Sequence, residues 1–146
     1  MAVFNKLNGF IEHLGTGVHD FSADQLVVAL SNTAPGSEST PPTGATATCV
    51  LANVTEISYA NVSSRNITTT SATQTSGTFR LVLADLVLSA TGAVGPFRYI
   101  YVYNDTPTSP ADPLIGYFDY GSGLTLANGE SLTIDFDQAS GALTLA

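Results

Sequence analysis

The sequence predicts an all-β protein, an antiparallel β-sandwich or jelly roll with a short N-terminal helix or arm. Three observations carry this. Apolar residues alternate at a period of two over several short segments, and successive side chains of a strand point to opposite faces. Roughly seven or eight such segments are separated by Gly-, Pro-, Asn- and Ser-rich turn signals at irregular spacings of about 8–15 residues. Two segments are apolar on both faces, as buried strands of a layered core are.

Taken in order, Phe4, Leu7, Ile11 and Leu14 fall at helical spacing, and Gly15 reads as the C-terminal cap. This predicts a short helix, or an arm docking elsewhere, over residues 1–16. Leu26–Leu30 (LVVAL) reads as a buried strand ended by Asn32 and Pro35. Residues 35–47 (PGSESTPPTGATA) have too little apolar area to fold alone and read as a surface loop. Residues 58–77, rich in Ser, Thr and Asn, read as strand–turn–strand. Phe79–Leu88 reads as one strand apolar on both faces.

The stretch from Gly92 to Gly121 reads as two strands around a Pro-rich loop. In the first, Phe97, Tyr99, Tyr101 and Tyr103 fall on one side, and Ile100 and Val102 on the other. A two-faced strand needs a second partner beyond the opposing layer: a loop or another subunit. Leu132, Ile134 and Phe136 oppose Thr133, Asp135 and Asp137, which suits a half-exposed strand. Leu143 and Leu145 close the last strand. The 146 residues read as a single domain, residues 1–146, able to bury about two-thirds of their unfolded surface.

Composition excludes several function classes. Charged residues are 11% of the chain, and only Lys6, Arg65, Arg80 and Arg98 are basic, against a net charge of −8. Neutralising phosphates needs a basic patch, so nucleic acid and anionic membranes are excluded as partners. No apolar run approaches the roughly 20 residues that span a bilayer, and the first ten residues lack the pattern of a secretory signal. A lone cysteine, Cys49, in an apolar setting implies a buried, inert thiol and synthesis in a reducing cytoplasm.

Chemical motifs are sparse. His13 and His19, with Asp20 and Asp24, could ligate a metal only if rigid elements made them converge. They straddle a Gly-Thr-Gly turn, which points instead to surface caps or hydrogen bonds. Asp135 and Asp137, with Asp119 nearby, could share acid–base work or hold calcium, but they occupy a solvent face without the Asx/Gly spacing of a calcium loop. Arg98 and Arg80 lie within apolar strands and should pair with a carboxylate such as Asp119 or Asp85. Sequons at Asn53, Asn61, Asn66 and Asn104 reflect Ser/Thr-rich composition. With no nucleophile–base pair, phosphate loop or metal cluster, no enzymatic activity and no cofactor are expected.

A series of segments runs in order along nearly the whole chain: Phe4–Asn8, Gly17–His19, Leu30–Pro35, Gln74–Thr78, Leu81–Asp85, Val94–Tyr99, Tyr103–Thr106, Asp119–Ser122 and Leu143–Ala146. It resembles a family of small virion structural proteins of tailed bacteriophages. The chain departs from that family's glycine-rich turn at Tyr59–Ser64, and it has no tryptophan. The resemblance implies a capsid decoration, or cement, protein made in the host bacterial cytoplasm and carried on the capsid exterior. Its partners would be the major capsid protein and further copies of itself, as a dimer or trimer. A tail-associated, receptor- or glycan-binding module is the alternative, with exposed tyrosines stacking on sugar rings. Phe4, Leu7, Phe10, Phe97, Tyr99, Tyr101, Tyr103 and Tyr117 are the candidate contact residues, since aromatic side chains bury large area at low entropic cost.

Overall fold

The structure, a computed structural model, describes residues 2–146. It is mostly β, with antiparallel sheets. The elements in chain order are β1 (Phe4–Lys6), α1 (Asn8–Gly15), β2 (Leu26–Ser31), β3 (Asn66–Ile67), β4 (Thr69–Thr75), β5 (Thr78–Leu83), β6 (Leu86–Ser89), β7 (Val94–Asn104), β8 (Leu114–Leu126), β9 (Ser131–Ile134) and β10 (Leu143–Leu145). Two 3-10 turns, Thr46–Thr48 and Leu51–Asn53, lie between β2 and β3. The sheets run β1-β8-β7-β2-β3, β10-β5-β4 and β6-β9.

Strand β2 shows how the chain is layered. All six of its residues are buried. Leu26, Val28 and Leu30 join a core cluster with Leu81 and Leu83 of β5, Leu88 of β6 and Ile134 of β9, so this cluster draws on all three sheets. Val27 and Ala29 face the other way, into a second cluster with Tyr99, Tyr101, Tyr103, Leu114, Leu7, Cys49 and Val54. A strand buried on both faces has no polar side to alternate with, which is why LVVAL is continuously apolar.

The second cluster is closed by a loop of the same chain. The backbone N–H of Leu114 donates to Cys49, and that of Leu51 to Asp112. Val50 bridges Pro113, and Ser31 bridges Glu56. The segment following β2 therefore lies across the tyrosine face of the large sheet. Residues 35–45 carry no regular secondary structure, as expected of a surface loop, but their continuation through Val54 forms this cover.

Four details differ from the sequence reading. The helix is shorter and turned: Phe4 lies in β1, and α1 buries Gly9, Phe10 and His13 and leaves Ile11 46% exposed. The reason is close packing, since a Cβ on Gly9 would lie 2.5 Å from the Cβ of Cys49. Its cap falls beyond Gly15, at Thr16: Gly17 takes φ +78°, its N–H donates to Leu14, and the Val18 N–H donates to His13, the two bonds of a Schellman motif.

The segment from Phe79 to Leu88 is two strands, broken at Ala84–Asp85, where the chain passes from one sheet to another. Asp85 there accepts the N–H of Phe136 at 3.1 Å. Residues 58–65 form no strand, apart from a bridge of Val62 to Ala90. Asn61 and Ser63 donate their side-chain groups to the backbone at Ala93 and Val87, an alternative to ladder bonding.

The aromatic row of β7 is also split. Phe97 joins the first cluster with Ile100 and Val102, while Tyr99, Tyr101 and Tyr103 face the second. The ladder breaks between them, where Phe97 opposes Leu124 but Tyr99 opposes Asp119 on β8. Such an irregularity re-aims the side chains on either side of it.

Candidate functional site

The eight candidate contact residues are divided between the two cores. Tyr99, Tyr101 and Tyr103 are 7%, 0% and 5% exposed, and Leu7 is 3% exposed; the half-buried Tyr117 packs against Tyr101 with ring centroids 5.5 Å apart. The Tyr101 hydroxyl donates to Glu38 of the covering loop at 3.3 Å, and burial pushes its pKa upward. Phe10 and Phe97 are fully buried in the first cluster. Phe4 packs on Phe118, centroids 5.0 Å apart, and lies against Gly116, where a Cβ would come within 2.5 Å of its ring. The N-terminal segment thus docks on its own body. The second partner that the two-faced strand requires is the loop of the same chain, and Leu7, Phe10, Phe97, Tyr99, Tyr101 and Tyr103 are buried.

The histidines are not surface caps. His13 and His19 are 5% and 8% exposed, with ring centroids 6.1 Å apart. His19 lies between Phe10 and Phe21, centroids 5.2 and 5.6 Å away. Its Nδ1 is 3.2 Å from the amide of Asn104, which also donates to Asp24. Nδ1 of His13 and Nε2 of His19 are buried without a hydrogen-bond partner. Burial lowers the pKa of both rings, that of His19 to about 4, so both are neutral near pH 7. Among the described residues, no group of three or more His, Cys, Asp or Glu could hold a metal ion. A cavity of about 350 Å³ adjoins His19, lined also by Asp20, Phe21, Ser22, Phe79 and Leu145.

The acidic candidates are turn formers. β9 ends at Ile134; Asp135 accepts the N–H of Asp137 at 2.8 Å, and Asp137, at φ +47°, accepts that of Ser140 at 3.1 Å. Those bonds from Ser140 lower the Asp137 pKa. Asp119 pairs with Arg98 through two bonds of 2.7 and 2.8 Å, as the sequence suggested. The pair is over a third exposed, so solvent screens it and it adds little to stability. Arg80 differs from expectation: it donates to the backbone of Gln138 at 3.0 Å rather than pairing with Asp85. Cys49 is fully buried and its pKa is pushed up to about 11 by burial, which leaves it a thiol at neutral pH.

Sequence reasoning missed Asn104, fully buried between His19 and Asp24, and Arg65, whose guanidinium lies 3.7 Å from the ring centre of Tyr59 and donates to Val28. The only signal for Asn104 was a polar residue ending the most apolar strand. Among the described residues, no helix is long and apolar enough to cross a membrane.

No family model matches the chain, and neither a characterised protein nor a solved structure is significantly similar to it.

Proposed function

We propose that this protein is a virion structural protein, a capsid decoration (cement) protein that binds the outside of a tailed-phage head and stabilises contacts between capsid subunits. The observation that carries the reading is the ordered series of segments from Phe4 to Ala146 that resembles that phage family. Physical features agree with it. A cement protein needs a compact body and an acidic exterior, and this chain has two buried core clusters and a net charge of −8. The partners in this reading are the major capsid protein and other copies of the chain, on the capsid exterior after synthesis in the bacterial cytoplasm.

The fold fits a β-sandwich of the jelly-roll kind. β7 pairs with β8, β6 with β9, and β5 with β10, three antiparallel pairs nested one outside the next. A long hairpin strip rolled over on itself gives such nesting, with successive pairs falling in different sheets. The glycan-binding alternative gains little from the geometry: Tyr99, Tyr101 and Tyr103 are buried, Tyr59 and Tyr117 are half-buried, and among the described residues Tyr120 is the one exposed tyrosine.

Purified protein mixed with heads that lack it, then sedimented, tests the proposal. Saturable binding at a copy number set by the capsid lattice is expected. Heads that sediment bare would remove the decoration role.

A further inference from the structure

We propose that the open edge of β4 pairs antiparallel with the same edge of a second copy, joining two three-stranded sheets into one. β4 bonds to β5 on one side only. At seven residues it is the longest edge strand; the other edges, β1, β3, β6, β9 and β10, have two to four. An unpaired strand edge is a template for another chain, and proteins that avoid such pairing place charges, prolines or bulges there. β4 has little of this protection. Residues 66–79 contain no charged residue and no proline, on a chain of net charge −8. The irregularity in its ladder lies at Thr69/Ser71, at one end. Thr73, Gln74 and Thr75 are exposed.

The occupant is argued from the strand itself. Ser76 and Gly77 form a two-residue turn with φ +52° and +85°, the positive pair of a type I′ hairpin, closed by Thr75 opposite Thr78. Such a closing pair is hydrogen-bonded, and bonding then alternates along the ladder. Thr73 and Ser71 therefore bond to β5, while the backbone groups of Ala72 and Gln74 turn outward. A two-fold axis at Thr73 sets Ala72 opposite the second copy's Gln74, and each can exchange both backbone bonds with the other. On the outer face Thr73 then meets its own counterpart and Ser71 meets Thr75, the hydroxyl pairs that stabilise neighbouring strands. The edge is self-complementary, as an isologous contact must be. It is also the uncharged approach by which two acidic copies meet without like charges at the seam.

This inference deepens the self-association in the reading above and rests on that reading for its setting, but it is tested on the isolated chain. Sedimentation velocity over a concentration series should show a monomer–dimer equilibrium. Thr73→Lys, on the solvent face, should keep the far-UV spectrum and melting temperature and weaken the dimer at least about tenfold, because two lysines would meet across the axis. The direction is diagnostic, since an added lysine lowers the net negative charge and would otherwise favour association. Hydrogen exchange gives a second readout: the amides of Ala72 and Gln74 should gain protection as concentration rises. A wild-type chain that stays monomeric throughout, or a Thr73→Lys chain that dimerises undiminished, would overturn the proposal. Concentration-dependent protection at those two amides without binding to heads would uphold the β4 contact and count against decoration alone.

Discussion

His19 carries a cost that depends on pH. Its ring sits between Phe10 and Phe21, where burial lowers its pKa; of the titratable groups around it, His13 lowers it further and Asp24 raises it only in part. On His13, the nearby Glu12 opposes the same effect of burial. In an unfolded chain a histidine titrates near 6.5, whereas here His19 is held at about 4. As the pH falls through 6.5, the unfolded state takes up a proton that the native state refuses. Stability is full above about 6.5, declines down to about 4, and levels off below it. His19 alone should cost about 2 kcal/mol between pH 7 and pH 5. Urea midpoints at the two values measure this, and His19→Gln should remove most of the slope. An equal slope in the variant would place the sensitivity elsewhere.

At the scale of elements, the docking of α1 depends on one missing methyl. Gly9 rests on the Thr46–Cys49 turn, where a Cβ would lie 2.5 Å from Cys49 and 2.9 Å from the backbone of Thr46. Gly9→Ala should therefore destabilise by about 1–3 kcal/mol, although alanine is the better helix former. A thermal melt checks the sign, and a stabilised variant would mean that α1 is free to shift. The same contact explains why the helix was only half legible. Phe4, Leu7, Ile11 and Leu14 mark a stripe by spacing, but the buried stripe is chosen by a turn some forty residues away. Strands were read more easily: β7, β9 and β10 show a period of two, and β2 shows as an unbroken apolar run, because burial leaves these patterns in the residue order. The break that separates Phe97 from Tyr99 left no such trace, because it arises from the pairing of β7 with β8. The buried histidines were misread for a related reason. The turn between them and the nearby Phe10 and Phe21 were visible, but Asn104, which bonds His19 from β7, comes from a distant part of the fold.

For the whole molecule, the N-terminal residues belong to both cores at once. Phe10 is buried in the first cluster, with Phe4 against it, and Leu7 fills the second. The Leu7 N–H bonds to Ile115, and β1 extends the large sheet beyond β8. Removing residues 1–15 should therefore do more than trim an arm. The shortened chain should lose its sharp thermal transition or melt at least about 10 °C lower, since burying even one large side chain contributes about 1.5–3 kcal/mol. A truncated chain that melts like the full one would show the segment to be dispensable, and would return it to the role of a free arm available to neighbours.

The nesting of β5–β10, β6–β9 and β7–β8 bears on how the chain finds its structure. The innermost pair closes over a short connection, and once it forms, the ends of β6 and β9 are already near each other, so each later pairing closes only a small additional loop. The order of assembly is thus written outward from β7 and β8. The start of the chain stands outside this sequence: β1 pairs with β8 and β2 with β7, across most of the chain's length. As the chain leaves the ribosome, the apolar run Leu26–Leu30 emerges long before either of its faces can be covered. Assembly in that order would leave this strand unpaired with β7 until β7 and β8 have both been made.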